Sequence, residues 1–235
     1  MASMLEDGLS YPLRGDWVGR IVIGGVLGLL SVLVIPTFAL LGYLVRVLER
    51  TVAGDDTPPE FDDWGDLLAK GVVATLIALA YSVVPVVLYV VLVTVVAGIG
   101  SGVGGDLGAL IGVTGALLAL AFLPVLLFVY YAVPAALTAY AARGEASAAF
   151  DVDLLKPTLF SVDYLLAVLA PILVAIGVFV VSVVLLVTVV GAVLVPFVQF
   201  YGQVAVFRMF GAAFADRTDG VGDEREGVGD DAATV

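Results

Sequence analysis

One loop of this chain concentrates the side chains whose types and spacing could do chemistry. Its carboxylates and aromatic rings are Asp55, Asp56, Glu60, Phe61, Asp62, Asp63 and Trp64. Carboxylate oxygens are the ligands that Ca²⁺ and Mg²⁺ prefer, but this spacing does not follow the calcium-binding pattern D-x-[DN]-x-[DN]-G, so we expect no metal. We expect instead that Asp62 or Asp63 caps the helix that follows. The alternative is a cytoplasmic docking surface for another protein, to which Phe150 and Asp151 would also belong.

A second polar group is a pair of carboxamides in apolar surroundings. Gln199 and Gln203 lie four residues apart, so a helix places them on one face. In a bilayer such a face points towards neighbouring helices, where carboxamides form interhelical hydrogen bonds. The alternative is a polar patch along a substrate path, shared with Tyr43, Tyr130, Tyr131 or Tyr201.

Composition argues against most catalytic chemistry. The chain contains no Cys and no His, which removes thiolate sites, disulfides and imidazole acid–base catalysis. Residues 100–105 match G-x-G-x-x-G, but a dinucleotide site needs a preceding β-strand, and the flanks here are apolar helices. We therefore expect no enzyme activity and no cofactor.

The elements that carry these residues are defined by the distribution of charge. Hydrophobic residues form 62% of the chain, against about 45–50% in soluble domains. Runs of about 18 or more apolar residues are typical of helices that span a bilayer. No Asp, Glu, Lys or Arg occurs in four stretches, 21–45, 71–105, 107–142 and 164–207. The sequence thus predicts an all-α, polytopic transmembrane helix bundle with the lipid bilayer as its first partner.

Five spans fit these stretches when the last stretch is divided near Val190 and Gly191. Together they form a transmembrane domain over residues 21–215. Residues 1–20 are predicted to be an interfacial segment, and the acidic, Gly-rich residues 216–235 a disordered tail. The predicted spans are 21–47, 71–97, 107–136, 162–189 and 192–212.

Lys and Arg predict the orientation, because cytoplasmic loops carry an excess of them. With five spans, eight of the ten positive residues fall on one side, and Arg14 and Arg20 remain on the other. We therefore predict a cell-membrane protein with its N-terminus outside and its C-terminus in the cytoplasm. The net charge of −12 argues against a nucleic-acid partner and indicates a halophilic archaeal source.

The order of motifs indicates an internal duplication. Lys70 precedes Pro85 by 15 residues, and Lys156 precedes Pro171 by the same interval. An acidic loop stands before each of these helices, and a proline-containing helix before each loop. Both loops would lie on the same side, so the predicted repeat is a parallel helix–loop–helix unit rather than an inverted one.

Several motifs together resemble one known family. They are Leu13–Trp17, Gly42–Leu48, the loop Gly54–Trp64 with its Pro-Pro-Glu-Phe-Asp-Asp-Trp sequence, and the later Ala148–Asp151 and Pro196–Phe197 regions. Over about residues 5–215 the chain is similar to the haloarchaeal membrane-protein family catalogued as domain-of-unknown-function 4013. The resemblance implies a multi-pass membrane protein and brings no activity, since none is established for the family.

Two hypotheses for function follow. The preferred one is a non-enzymatic bundle that acts in membrane organisation or in a membrane complex, with another membrane protein or a second copy as partner. The alternative is a permease or channel for a neutral or amphipathic small molecule. Ion-coupled transport usually needs ionisable residues within the membrane, and the four stretches contain none. A cavity lined by Gln199 and Gln203 would favour transport.

Overall fold

A computed structural model gives the fold of residues 2–231 and the side chains of all of these except 2, 162, 163, 166, 167 and 216–231. Every regular element in that range is helical, which confirms the predicted all-α fold. Short 3₁₀ turns occupy Tyr11–Leu13, Leu30–Leu33 and Ala146–Phe150. The α-helices are α1 (Ala2–Ser10), α2 (Trp17–Leu29), α3 (Ile35–Val52), α4 (Trp64–Val103), α5 (Gly105–Arg143), α6 (Val152–Leu159), α7 (Val162–Leu186) and α8 (Val189–Asp231).

Four of the described helices are long and apolar enough to cross a bilayer. They are α4, α5, the segment Val168–Leu186 of α7 and the segment Val189–Ala215 of α8. A fifth crossing would require Ser3–Leu13 and Trp17–Leu33 to act as one span despite a bend of 86° between them. Helices α7 and α8 confirm two helices in the last charge-free stretch, with their turn at residues 187–188, slightly before the predicted position.

The single helix predicted for residues 21–47 is wrong. Helix α2 ends at Leu29, a 3₁₀ turn follows, and Val34 has a φ of 66° before α3 begins. Pro36 contributes to the break because it has no N–H and its ring crowds the preceding turn. The carbonyl of Ser31 closes the turn by accepting hydrogen bonds from the Val34 N–H at 3.1 Å and the Thr37 hydroxyl at 3.2 Å.

Residues 1–75 and 134–235 form one compact unit, in which α1, α2, α3 and α7 all pack against α8. Helix α2 runs antiparallel to α8, because Gly24 lies against Phe200 and Gly28 lies further along against Pro196. These glycines leave no room for a β-carbon, which allows the two helices to approach closely.

Helix α3 runs parallel to α8 and therefore antiparallel to α2. Its Tyr43 contacts Phe200, and its Thr51 contacts Gly211 further along. We call residues 17–52 the N-terminal hairpin, since α2 and α3 lie side by side and are joined by the turn before Val34. The buried core between this hairpin and its neighbours consists of Tyr11, Tyr43, Leu44, Val47, Leu67, Phe200 and Val204.

Helix α3 also crosses the first turns of α4 at very short range. A β-carbon at Gly42 would overlap the carbonyl of Leu67, and one at Gly71 would overlap the carbonyl of Phe38. The spacing of four residues on each helix repeats the contact one turn later. Glycine is therefore required at both positions for this backbone-to-backbone contact.

Residues 76–133 form a second unit, which we call the central hairpin. It consists of the second half of α4 and the first part of α5, joined at Gly104, whose φ of 66° is left-handed. Gly108 lies against the Gly100 carbonyl, and the Tyr89 and Phe122 rings are 5.9 Å apart. Most large apolar side chains of this unit are exposed.

Two further predictions differ from the structure. Helix α8 continues to Asp231, where a disordered tail was predicted from residue 216, because adding a residue to an existing helix costs far less than starting one. Residues 232–235 lie outside the described range. The predicted repeat is only partly reproduced: Gly54 and Gly144 end α3 and α5 with similar left-handed φ angles, but Lys70 lies within α4, whereas Lys156 lies in the separate helix α6.

Candidate functional site

Residues 53–63, the acidic loop, are held mainly through their backbone carbonyls. The guanidinium of Arg20 donates to the Pro58 carbonyl at 3.0 Å, and the Tyr43 hydroxyl donates to the Pro59 carbonyl at 3.0 Å. Both donors belong to the N-terminal hairpin and both are buried. The loop is therefore fixed against α2 and α3 at the end of the hairpin that is opposite its turn.

Arg208 ties the N-terminal segment and the acidic loop to α8. Its guanidinium binds the Asp7 carboxylate at 2.9 Å, the Asp56 carboxylate at 2.5 Å and the Asp55 carbonyl at 3.1 Å. It also lies 4.7 Å from the centre of the Tyr11 ring. The Arg208 side chain is only 10% exposed, so these contacts take the place of water around its charge.

A second charged network joins α3 to the start of α4. Arg46 binds the Asp62 carboxylate at 2.5 Å and the Asp66 carboxylate at 2.9 Å. Lys70 binds Asp66 at 3.0 Å and Glu49 at 2.7 Å. The carboxylates that the sequence offered for docking are thus largely occupied by arginine and lysine of the same chain.

The aromatic residues of the acidic loop are divided between core and surface. Phe61 stacks on Tyr43 with ring centres 4.2 Å apart, so it packs against the hydrophobic core rather than standing free for a partner. Trp64 is 47% exposed, and its ring centre is 6.0 Å from that of Phe61. Glu60 is also exposed. Trp64 and Glu60 are therefore exposed, and so are Asp56 and Asp62, although these two carboxylates are already paired with arginine.

The predicted helix cap is confirmed at Asp63. This residue precedes α4, and its carboxylate accepts a hydrogen bond from the Asp66 N–H at 3.2 Å. Its φ of 40° is unusual for a residue other than glycine. Two hydrogen bonds hold this conformation. One is the capping bond, and the other is accepted by the Asp63 carbonyl from Arg46 at 3.2 Å.

Asp55 stabilises the turn that enters the acidic loop. Its carboxylate accepts a hydrogen bond from the Thr57 N–H at 2.8 Å and forms an ion pair with Arg50. The pKa of the Asp55 carboxyl lies below its usual value. The largest cause is the hydrogen bond from the Thr57 N–H, and the next is the hydrogen bond from the Arg50 guanidinium. Asp55 is therefore ionised at neutral pH and is a poor proton acceptor.

The later acidic segment has a comparable local role. The Asp151 carboxylate caps α6 by accepting from the N–H groups of Asp153 and Leu154, both at 3.1 Å. It also pairs with Arg143 at 3.3 Å. The neighbouring Phe150 is about half exposed.

The two carboxamides line a crevice between the N-terminal hairpin and α8. The crevice has a volume of about 240 Å³. Gln199 also donates to the Ser182 hydroxyl of α7 at 3.4 Å, so it has the predicted interhelical contact as well. The lining residues are Gly24, Gly28, Ser31, Leu40, Val195, Pro196, Gln199, Phe200 and Gln203.

The tyrosines predicted to share a path with the carboxamides do not line this crevice. Tyr43 is buried in the core with its hydroxyl bound to Pro59. Tyr130, which is 76% exposed, and Tyr131 belong to the central hairpin. Ser31 is a polar lining residue that the sequence did not single out, although it stands in an apolar stretch just before the chain reverses.

Within the described part of the chain, no three Asp or Glu side chains are grouped as a metal ion would require. The site is therefore a polar face, formed by Arg20, Tyr43, Arg46 and Arg208 and the loop carbonyls that they bind. The small crevice lies beside it.

Comparison with known proteins gives one match. The family described as a protein of unknown function (DUF4013) matches residues 29–190. This range begins near the end of α2 and ends at the start of α8, so it includes the acidic loop and the central hairpin. No curated protein and no solved structure matches the chain.

Proposed function

Because the chain belongs to the DUF4013 family, whose function is unknown, we propose a role from geometry alone: it is a non-enzymatic partner in a membrane complex, and the central hairpin contacts the partner. The observation that carries this proposal is the exposure of the hairpin. Only 6% of the most apolar window of α4, and of that of α5, is buried. A surface of this kind must be covered by lipid or by another protein.

The length of the hairpin favours a protein partner over lipid alone. The part of α4 in the central hairpin, residues 76–103, is about 42 Å long at 1.5 Å per residue. A hydrocarbon core of about 30 Å would cover it only at a tilt of about 45°, whereas tilts up to about 40° are usual. Part of this apolar surface therefore needs another cover.

One face of α4 suits a transmembrane helix of another membrane protein. Val95, Gly98, Ile99 and Gly102 follow one another at helical spacing, and all are exposed. A β-carbon at Gly98 or Gly102 meets nothing within 4 Å, so these glycines have no packing role among the described residues. Small residues four apart let a second helix approach closely.

The polar face supports a non-enzymatic role. Its carboxylates form ion pairs with Arg46, Lys70 and Arg208, and charge-paired carboxylates are poor proton acceptors. Its arginines and tyrosines bind loop carbonyls. These groups are engaged in fixing the loop.

The contacts also lead us to propose four crossings and a re-entrant N-terminal hairpin. Asp7 binds Arg208, and Arg20 binds the Pro58 carbonyl, so the N-terminal segment lies at the same face as the acidic loop. From Arg20 to Val34 the chain advances only about 21 Å, and it returns in α3. The N-terminus then shares the cytoplasmic face with the C-terminus, in place of the outside location predicted from five spans.

The distribution of positive charge supports this topology. With four crossings, all ten Lys and Arg residues fall on one side, whereas five crossings leave two on the other. The opposite turns carry a single charged residue, Asp106. Excess Lys and Arg mark the cytoplasmic side. We propose the cell membrane of a high-salt organism as the setting, in keeping with the net charge of −12.

Single cysteines test the topology directly, because the natural chain has none. We expect Glu6→Cys and Glu60→Cys to react with an impermeant thiol reagent from the same side of the membrane, and Ser101→Cys from the other. Five crossings require Glu6→Cys and Ser101→Cys to react together. That result would overturn the four-crossing topology.

Site-specific photo-crosslinking in host membranes tests the proposed role. A photoreactive residue at Ile99 is expected to give one discrete protein adduct, and the same residue at Phe179 of α7, which is 66% exposed, to give lipid adducts only. Gly98→Leu and Gly102→Leu should abolish the adduct without lowering the unfolding temperature, since nothing in the chain obstructs the new side chains.

The matched control is Gly108→Leu, which overlaps the Gly100 carbonyl within the central hairpin and should destabilise the protein itself. Lipid adducts alone at Ile99 would exclude the proposed partner contact. An adduct with the mass of two copies of this chain would show that the partner is a second copy of the chain and not another protein.

A further inference from the structure

The crevice between α2, α3 and α8 contains polar groups at a depth where the surroundings are apolar. Gln203 is exposed, and no described residue forms a hydrogen bond with its carboxamide. A carboxamide left without partners in hydrocarbon costs several kcal/mol. Water or a polar molecule in the crevice next to Gln203 would supply the missing partners.

The order of the lining residues gives the direction in which the crevice opens. Gln203 is five residues from Arg208 on α8, and Gly24 is four residues from Arg20 on α2, so both are within about 8 Å of the polar face. Gln203 is exposed, so the crevice is accessible at this end. Ser31 lies at the other end, next to the turn of the N-terminal hairpin.

The lining is neutral and offers both donors and acceptors. Each carboxamide has an N–H₂ donor and a carbonyl acceptor, and the Ser31 hydroxyl, which donates to the Leu27 carbonyl at 3.0 Å, still has acceptor capacity. No Asp, Glu, Lys or Arg lines the crevice, and Leu40 and Phe200 supply apolar walls. An ion would find no opposite charge here, whereas an uncharged molecule with hydroxyl groups would find partners.

The volume limits the size of the occupant. Typical pockets for drug-sized ligands measure about 300–1,000 Å³, and this crevice measures about 240 Å³. That volume corresponds to roughly eight water molecules at about 30 Å³ each. A short carbon chain with several hydroxyl groups fits this space.

We propose that the crevice is a water-filled pocket, open to the polar face, that binds a small uncharged polyol through Gln199, Gln203 and Ser31. Neighbouring hydroxyl groups on such a molecule can meet the two carboxamides, which stand one helical turn apart. The re-entrant hairpin forms one wall, so its chain reversal inside the membrane gives the pocket a floor. Binding at this site does not require passage across the bilayer.

Cysteine accessibility tests the water-filled pocket. Gln203→Cys and Ser31→Cys are expected to react with a charged thiol reagent added at the polar face, with Gln203→Cys the faster. Phe179→Cys, on an apolar surface of α7, is the matched control. A thiol in hydrocarbon has its pKa raised, and a rise of about two units leaves about 100-fold less thiolate, so we expect a rate difference of about that size.

Protection by glycerol tests the bound class. Saturating glycerol should slow the reaction of Leu40→Cys, a wall position that leaves all three proposed polyol ligands in place, severalfold and leave the exposed loop variant Glu60→Cys unchanged. Sodium chloride at equal osmolarity should protect neither. Equal protection by glycerol and salt, or none by glycerol, would overturn the polyol assignment. Reaction of Gln203→Cys as slow as that of Phe179→Cys would overturn the pocket itself.

The two proposals fail separately. The pocket is formed entirely by residues 24–40 and 195–203, and the proposed partner contact is on residues 95–102. Loss of the Ile99 adduct would leave the labelling pattern of Gln203→Cys intact.

Discussion

The unit around α8 and the central hairpin use similar apolar residues in opposite ways. In the first, Tyr43, Phe200 and Met209 are buried by helices that pack on several sides. In the second, Leu127 is 66% exposed although it is as apolar as they are. Hydrophobicity therefore places both regions in the membrane but does not decide which of them packs into a core.

The difference follows from the polar anchors at the ends of the helices. In the unit around α8, Arg20, Arg46 and Arg208 bind loop carbonyls and carboxylates from several segments. The central hairpin contains one charged residue, Asp106. In lipid there is no hydrophobic force between helices, so packing depends on close contact and polar bonds. The region with these bonds forms the core.

The largest expected effect is the loss of Arg208. Replacing it by Met removes its bonds to Asp7, Asp56 and the Asp55 carbonyl, although Arg14 still pairs with both carboxylates. A hydrogen bond that involves a charged group contributes about 1.5–3 kcal/mol, so the joint loss of these bonds should cost about 3 kcal/mol. We expect a fall of that order in the free energy of unfolding of the purified protein. The matched variant Arg143→Met breaks an exposed pair and should cost less than about 1 kcal/mol. Equal losses would show that the buried anchor at Arg208 stabilises the unit around α8 no more than an exposed ion pair does.

Glycine substitutions give the next largest effect. Gly42→Leu forces a side chain into the Leu67 carbonyl, and overpacking of this kind costs about 1–3 kcal/mol. Gly112→Leu in the central hairpin meets nothing within 4 Å and should leave the unfolding temperature unchanged. Both are measured by thermal unfolding in the same detergent. A large loss at Gly112 would mean that the hairpin is more tightly packed than its exposure indicates.

A smaller effect is expected from single hydroxyl groups. Tyr43→Phe removes the donor to the Pro59 carbonyl in the core, and a typical internal hydrogen bond contributes about 1 kcal/mol. Tyr130→Phe on the exposed surface of the central hairpin should have no measurable effect. Denaturant titration of both variants measures the difference. The contrast is lost if Tyr43→Phe is as stable as the parent protein.

The smallest expected effect is a pH dependence of stability in the unit around α8, at the acidic loop. The pKa of Asp55 is lowered in the folded protein, so its contribution to stability is present at neutral pH and is lost as pH falls below about 4. We expect Trp64 fluorescence to report a loosened acidic loop in that range, with Trp17→Phe as background. Asp55→Asn should already be loosened at neutral pH. If Trp64 fluorescence changed with pH in Asp55→Asn just as in the parent protein, the transition would belong to another carboxyl group.

The sequence predicted the four long helices because apolar runs without charge are an unambiguous signal for membrane helices. It did not predict the break at Val34, since Pro85, Pro171 and Pro196 lie inside continuous helices and a proline alone does not mark a reversal. A signal was present in Arg14 and Arg20. Five crossings leave these two residues on the opposite side from the other eight Lys and Arg, whereas the proposed four crossings put all ten on one side.

The sequence identified most residues of the candidate sites, but it did not predict what those residues contact. Clustered acids in the loop were visible, but their partners Arg46 and Arg208 are distant in sequence and come close only through the fold. Gln199 and Gln203 were recognised as one face of a helix. That the N-terminal hairpin would lie opposite them could not be predicted, because the hairpin depends on contacts with α8 that no local pattern records.

The turn between α7 and α8 has a consequence for communication. In the proposed topology, the described chain reaches the outer side only at this two-residue turn and at the turn near Gly104. Each turn presents only a few residues to that side. In this topology most of the surface that could receive or relay a signal faces the lipid or the inside of the cell.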